Sequence, residues 1–176
     1  DWILRSDVSD SLSKIYVRNI KTNKEEELKI TEEKVISPGI SIGQKDKDTD
    51  IIRISYDSPK TPSRTFEYNI KTKEKKLLKE QIIPSGHNRD DYIVERLSCE
   101  SHDERQIPMT ITYHKKTKLD GSAHILLYGY GSYGMSMGPS FSSTRLSLIN
   151  RNIIWVTCHI RAVSYTHLTL PTNRCV

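Results

Sequence analysis

Apolar and polar positions follow two different patterns along the chain. Up to about residue 114, short segments such as 51–58 (IIRISYDS) and 107–114 (IPMTITYH) alternate between apolar and polar residues. Such alternation is typical of β-strands with one buried face. Farther along, 124–129 (HILLYG) and 153–160 (IIWVTCHI) are near-continuous apolar runs, which predict strands covered on both faces, as in parallel sheets.

A repeat marks the first part of the chain. Segments 16–28 (YVRNIKTNKEEEL) and 66–78 (FEYNIKTKEKKLL) share the string Asn-Ile-Lys-Thr, which begins at residues 19 and 69 and so recurs after 50 residues. Each segment predicts a strand, a polar turn and a second strand. One hairpin per ~50 residues is the spacing expected of four-stranded β-propeller blades, although Lys-rich hairpins also recur by chance. Because a blade cannot bury its faces alone, the repeat indicates part of a larger ring.

A stretch without periodicity separates the two patterns. Residues 82–91 (IIPSGHNRDD) combine proline, glycine and charged residues, a composition typical of a domain boundary. We place this boundary near residue 86. The sequence therefore predicts a first domain over residues 1–86, formed by the last blade or blades of a β-propeller, and a second domain over residues 87–161.

The second domain is expected to begin with a hairpin and to continue as strand, helix and strand. Residues 92–114 predict the antiparallel hairpin, and its second strand carries apolar residues on one face: Ile107, Met109, Ile111 and Tyr113. Ser142 or Ser143 is a candidate helix N-cap, and Asn152 is a stop. Because the connection is long enough for a right-handed crossover, we expect residues 124–160 to form one βαβ unit.

Composition and charge argue against several classes of protein. The net charge is +5 and no Lys/Arg cluster is interleaved with aromatic residues, so nucleic-acid binding is not expected. No segment approaches the ~18 apolar residues of a membrane helix, so no membrane association is expected. The cysteines lack CxxC spacing, so we expect no disulfide framework and a reducing, cytoplasmic location. The histidines lack metal-ligand spacing, so we expect them to have surface or packing roles. We expect no metal or other cofactor. The residues concerned are Cys99, Cys158, Cys175, His87, His102, His114, His124 and His159.

The loop after the first apolar run is the candidate site. In 126–134 (LLYGYGSYG), three glycines alternate with aromatic residues where open α/β sheets bind ligands. A dinucleotide site would need a helix starting at Gly134 and a carboxylate after the second strand, and the sequence has neither. Ser132 lacks the glycine two residues before it that a nucleophile elbow requires, so we expect it to form the turn. The remaining interpretation is a loop that supplies a hydrogen-bond donor to an oxyanion.

The string LLYGYGSYGMSMGPSFSSTRLSLINRN, followed by HIR, resembles the prolyl oligopeptidase family of serine peptidases, and within it the oligopeptidase B branch. The resemblance extends upstream through ERLSCESHDERQIPMTITYHKK and the pair Asp120-Gly121, and more loosely over residues 1–161. It implies a seven-bladed β-propeller paired with an α/β-hydrolase domain. The fold class expected here is thus a β-propeller remnant followed by the N-terminal part of an α/β-hydrolase domain over residues 87–161.

The same resemblance implies the role of the loop. Tyr130 would donate its phenolic hydroxyl to the oxyanion of the tetrahedral intermediate, a contribution typically worth ~3 kcal/mol. The residues that would shape the loop are Gly129, Gly131, Ser132 and Gly134. A packed core tyrosine is the alternative for Tyr130, and core packing is what we expect for Tyr133.

The activity implied by the resemblance is hydrolysis of peptide bonds in short peptides, after Lys or Arg, through an acyl-enzyme. In α/β-hydrolases the nucleophile, acid and base follow this loop in the order Ser, Asp, His, so we expect them beyond the chain and expect the chain alone to be inactive. Two other functions stay open, namely a non-catalytic propeller or binding module and an acyl hydrolase acting on esters. The oligomeric state is not indicated by the sequence.

Three features depart from the family pattern, and a fourth indicates that the chain is a fragment. Residues 162–176 (AVSYTHLTLPTNRCV) replace an expected glycine-rich stretch and resemble translated adaptor DNA, so we expect a non-native tail. Arg161 is expected to form a structural ion pair whose natural partner is missing. At 103–104 the pair Asp-Glu stands where Asp-Gly is usual, a mild cost in turn geometry. The start at 1–5 (DWILR) suggests a cut into a longer chain, and incomplete sheets predict aggregation.

Overall fold

The computed structural model describes residues 2–41, 49–135 and 137–161. These residues form eleven β-strands and one α-helix, arranged in three sheets. Two antiparallel sheets come first along the chain, and a mixed sheet follows them. None of the described helical segments has the length and apolar character needed to cross a membrane.

The first sheet has three antiparallel strands in sequence order: β1 (Trp2–Ser9), β2 (Leu12–Asn19) and β3 (Glu25–Glu27). The second has four: β4 (Ser37–Ser41), β5 (Ile51–Asp57), β6 (Arg64–Asn69) and β7 (Lys75–Glu80). The alternation predicted for β5 is confirmed, because Ile54 and Tyr56 are 0% and 3% exposed. A polar residue lies between these two, so one face of the strand is buried.

A single apolar cluster joins the two antiparallel sheets. Side chains from both sheets and from the segments after β3 and β6 form it: Ile15, Val17, Leu28, Ile30, Ile54, Tyr56, Phe66, Tyr68 and Ile70. Within it the rings of Tyr56 and Phe66 stack, with centroids 5.9 Å apart. Full burial of one such side chain contributes about 1.5–3 kcal/mol, so this cluster dominates the stability of the first part of the chain.

The repeated Asn-Ile-Lys-Thr string forms the same turn twice. In each copy the asparagine Oδ1 accepts the backbone N–H groups two and three residues later, at 2.9–3.1 Å. The residue four positions after each asparagine, Asn23 or Lys73, returns its N–H to the asparagine carbonyl at 2.9 Å. Both residues adopt left-handed backbone, with φ of 57° and 64°. The predicted repeat of strand, turn and strand is therefore present in the structure.

The mixed sheet follows a 3-10 turn at Arg89–Asp91. Its elements are β8 (Tyr92–Glu100), β9 (Gln106–His114), β10 (Ile125–Gly129), α1 (Ser143–Ile149) and β11 (Ile154–Cys158). The strand order is β10-β11-β9-β8, with β10 and β11 parallel and the other pairs antiparallel. Both the predicted hairpin and the predicted βαβ unit are present. Of the two N-cap candidates, Ser142 is the one that accepts a backbone N–H, from Arg145 at 3.3 Å.

Burial in the mixed sheet differs from the prediction at one strand. β11 is covered on both faces, as predicted, but on β10 the side chains of Ile125 and Leu127 are 62% and 68% exposed. The β10 side chains are exposed because β10 is the edge strand and α1 packs over β11 and β9 instead. On β9 the predicted apolar face is present, yet Thr110 and Thr112 on the opposite face are more deeply buried, at 1% exposed.

The segment predicted to hold the domain boundary lies against both parts of the chain. His87 Nε2 lies 2.7 Å from the carbonyl oxygen of Lys60, and its ring stacks on Tyr92 with centroids 5.0 Å apart. Nearby, the backbone N–H of Phe141 donates to Asp57 Oδ2 at 2.6 Å. The antiparallel sheets therefore contact the loop before α1 directly. The boundary near residue 86 itself stays a prediction.

Candidate functional site

The candidate site lies where the two parallel strands end. β10 and β11 pair with Gly129 opposite Cys158, so the residues after each strand emerge at the same edge of the sheet. On one side this edge carries the loop from Tyr130 to Phe141, and on the other the segment from His159 to Arg161. This is the edge at which open α/β sheets bind ligands.

Gly131 is the glycine of the loop for which the structure shows a steric need. A Cβ at this position would lie 2.6 Å from the carbonyl oxygen of Arg161 and 3.0 Å from the side chain of Ile160. Contacts under 3.0 Å with backbone require a shift of the chain. At Gly129 the nearest atom would be 3.5 Å away, which is ordinary contact. The loop therefore depends on Gly131 to pass close to the backbone after β11.

The turn that follows does not place its second tyrosine in the core. Ser132 begins a 3-10 turn that ends at Gly134, and its carbonyl accepts the N–H of Met135 at 3.1 Å. Tyr133, in the middle of this turn, has φ of 57° and is 86% exposed. The prediction of core packing for Tyr133 is therefore wrong. Its left-handed backbone, at a turn beyond the end of the sheet, leaves the ring in solvent.

Tyr130 is partly exposed, with 36% of its surface accessible. Among the described residues its hydroxyl has no hydrogen-bond partner, whereas the hydroxyls of Tyr92 and Tyr113 each donate to another side chain. Buried tyrosines usually pair their hydroxyl, so Tyr130 does not have the contacts of a packed core tyrosine. Within the described part of the chain, this leaves the hydroxyl able to donate to a group that enters at the sheet edge.

His159 is the residue of this site that the sequence did not single out. It is buried, at 3% exposed, and its Nδ1 lies 2.5 Å from the carbonyl oxygen of Met137 in the loop. Its Nε2 lies 2.6 Å from Thr110 Oγ1, and that oxygen also accepts a hydrogen bond from Arg96 Nη1 at 3.0 Å. Burial lowers the pKa of His159. Its position directly after an apolar strand, at the same edge as the loop, was the available signal.

The predicted ion pair of Arg161 is present, with Asp103 as its partner; that the natural partner is missing stays a prediction. Its Nη2 lies 2.6 Å from Oδ2 of Asp103, in the β8–β9 turn. This follows from the strand pairing, since β9 lies between β8 and β11 and the turn reaches the same edge. Hydrogen bonds from Ser101 and Arg161 lower the pKa of Asp103 to about 2. In the same turn Glu104 has φ of 62°, which accounts for the expected cost of a non-glycine residue there.

No group of three or more His, Cys, Asp or Glu residues suited to a metal ion occurs within 2–41, 49–135 and 137–161. The predicted non-native tail, residues 162–176, lies outside the described residues.

Known proteins similar to this chain share one family of names. No family model matches the chain. Among curated proteins it is 39% identical over 146 residues to dipeptidyl aminopeptidase BI from Pseudoxanthomonas mexicana, covering 82% of this chain and 20% of the relative. Other matches are named Protease 2, prolyl oligopeptidase and prolyl endopeptidase. The chain thus spans about a fifth of the length of the first curated relatives it matches.

Solved structures agree with this result. Oligopeptidase B from Leishmania major matches with a TM-score of 0.81 at 25% identity, over 92% of this chain and 23% of that chain. Oligopeptidase B from Trypanosoma brucei, in a closed form with covalently bound antipain, matches with a TM-score of 0.83 at 24% identity, over 93% and 24%. The chain is therefore similar to a segment of the serine peptidases of the prolyl oligopeptidase family. The predicted fold class, part of a propeller followed by the start of an α/β-hydrolase domain, is confirmed. The limits 1–86, 87–161 and 162–176 stay predictions.

Proposed function

We propose that the chain is a segment of a serine-type oligopeptidase that hydrolyses peptide bonds in short peptides, and that Tyr130 contributes to its oxyanion hole. The longer protein proposed to carry this segment is called the full-length protein below. Its nucleophilic Ser, its Asp and its general-base His would lie outside this chain. The observation that carries the proposal is Tyr130 at the carboxyl edge of the parallel strands, partly exposed and with no hydrogen-bond partner for its hydroxyl among the described residues.

The chemistry follows from acyl transfer. When the serine attacks the scissile carbonyl, the carbonyl oxygen gains negative charge that a preorganised donor stabilises. A phenolic hydroxyl donates without carrying a charge of its own, and removal of one such donor typically costs ~100- to 1,000-fold in kcat. By itself the loop supplies a donor but no nucleophile or base. The proposal therefore expects no peptidase turnover from the isolated chain.

Substrate preference, domain limits and location belong to the same proposal. Cleavage after Lys or Arg is expected from the resemblance to oligopeptidase B, and the acidic groups that would bind such side chains lie outside residues 121–161, which contain no Asp or Glu. Residues 1–86 would be the end of the propeller and residues 87–161 the start of the catalytic domain. A cytoplasmic location is supported by Cys99 and Cys158, which form no disulfide within the described residues.

The test is Tyr130→Phe in the full-length protein, assayed with a short peptide amide that has Arg before the scissile bond. We expect kcat to fall about 100-fold with little change in KM, because the donor acts in the transition state. Tyr133→Phe is the matched control, since that ring lies in solvent, and should leave both constants unchanged. Full activity of Tyr130→Phe would contradict the role of Tyr130. Turnover of a matched ester but not of the amide would indicate an acyl hydrolase. If neither substrate is turned over, the protein would be a binding module.

A further inference from the structure

The hydrogen bonds around His159 have one consistent direction. Arginine can only donate, so Arg96 Nη1 donates to Thr110 Oγ1 at 3.0 Å. Thr110 can then donate its hydroxyl hydrogen to His159 Nε2, 2.6 Å away, which accepts when the ring is neutral. At the other end the carbonyl of Met137 can only accept, so Nδ1 of His159 carries a hydrogen. In the neutral ring both contacts are met by one tautomer, which carries its hydrogen on Nδ1.

The burial of the ring agrees with this assignment. His159 is 3% exposed, and burial lowers its pKa, which favours the neutral form with one donor and one acceptor. The ring is placed by its own strand end, because the backbone N–H of His159 donates to the carbonyl of Pro108 at 2.9 Å. The side chain is therefore held by the sheet on one side and faces the loop on the other.

Few other hydrogen bonds of the described residues join the loop to this sheet. Within residues 131–139, the backbone hydrogen bond from Met135 N–H to the Ser132 carbonyl joins two residues of the loop itself and does not reach the sheet. Among the described residues of this segment, the carbonyl of Met137 is the group that is hydrogen-bonded to the mixed sheet. Beyond it, Phe141 is held by Asp57, from the antiparallel sheets. The contact with His159 at Met137 thus holds the middle of the loop, while its start packs through Gly131 against Ile160 and Arg161.

We propose that His159 is a positioning residue, which fixes the loop carrying Tyr130 by donating from Nδ1 to the carbonyl of Met137. Thr110 and Arg96 support it by holding the tautomer that has the hydrogen on Nδ1. The proposal rests on the proposed function of Tyr130, since the loop matters for catalysis only if that hydroxyl contacts the oxyanion. A displacement of about 1 Å at a catalytic group can cost up to ~100-fold in rate.

Two substitutions of similar size separate the two sides of the ring. His159→Asn places its amide near the position of Nδ1, so it keeps a donor for Met137 and loses the contact with Thr110. His159→Gln places its amide near the position of Nε2, so it keeps the contact with Thr110 and loses the donor for the loop. Each variant loses one of the two hydrogen bonds of a buried side chain. A purely structural role therefore predicts similar effects of the two variants.

The first measurement is steady-state kinetics of both variants in the full-length protein with the Arg-containing peptide amide. We expect His159→Gln to lower kcat about 10- to 100-fold at nearly constant KM, and His159→Asn to retain most of the activity. Equal losses in the two variants, or a loss confined to KM, would overturn the proposal.

The second measurement does not depend on activity. Hydrogen exchange of peptides covering residues 129–141 in the full-length protein should be at least about tenfold faster in His159→Gln than in wild type, and near wild type in His159→Asn. If the protein lacks peptidase activity but exchange separates the variants in this way, the proposed function fails while the anchoring of the loop stands. Equal exchange in wild type and His159→Gln would overturn the anchoring itself.

Discussion

The antiparallel sheets and the mixed sheet bury their side chains in different ways. The antiparallel sheets share one apolar cluster of nine buried residues. In the mixed sheet two clusters of three buried residues lie on opposite faces, and the buried side chains also include Thr110, Thr112 and His159. The candidate site lies on the region with the smaller cores. Apolar packing therefore dominates in the first region, whereas directed hydrogen bonds hold the edge of the second region that carries the candidate site.

The largest effect should come from the cores themselves. Ile54 and Ile149 are both 0% exposed, the first in the large cluster and the second in a small one at the end of α1. We expect Ile54→Ala to lower the free energy of unfolding by about 4 kcal/mol and Ile149→Ala by about 2 kcal/mol, because a short helix end can relax around the cavity. Urea denaturation of the full-length protein, monitored by hydrogen exchange in each region, measures both. Equal losses would remove the distinction between the two cores.

A smaller effect is expected at the repeated turns of the first region. Asn19 and Asn69 each accept two backbone N–H groups with their side chains. Replacement of either by Ala should cost about 1 kcal/mol, because the N–H groups lose an acceptor but remain open to water. The two losses should match, since the hydrogen bonds are the same. Denaturant midpoints of the two single variants test this, and a difference above about 1 kcal/mol would show that the turns are not equivalent.

The smallest effect concerns the contact between the regions and depends on pH. Burial raises the pKa of Asp57, although the N–H of Phe141 opposes the increase. The folded protein therefore holds this proton to higher pH than the unfolded chain does. Stability from this group should fall as pH rises from about 4 through the raised pKa, and then stay constant.

Asp57→Asn tests that pH dependence, because the amide oxygen can still accept from Phe141 without titrating. Relative to the variant, the wild type should lose stability between about pH 4 and pH 7. Unfolding midpoints across this range give the difference. A wild type that gains stability over the variant as pH rises would mean that the carboxylate is favoured in the folded state.

Features set by local sequence were predictable. The alternation along β5, the shared turn after Asn19 and Asn69, and the Ser142 cap each depend on residues within a few positions of one another. The general position of the loop followed from the βαβ pattern, which requires both strands to end at one edge.

Features set by distant pairing were not predictable. The ion pair of Arg161 with Asp103 joins residues 58 positions apart, and the contact of His159 with Thr110 spans 49. Both depend on β9 lying beside β11, a neighbour relation that no periodicity in either strand encodes. The exposure of Tyr133 depends on a left-handed turn formed by a residue type that seldom adopts one.

The close approach of Gly131 to the backbone of Arg161 has a consequence for how such loops can evolve. A side chain at position 131 would collide with a main-chain oxygen, which no substitution at 161 can remove. We therefore expect the two segments to change together in evolution. A relative that lost this glycine would also need a new backbone path after the β11 strand, so insertions and deletions in the two segments should occur together.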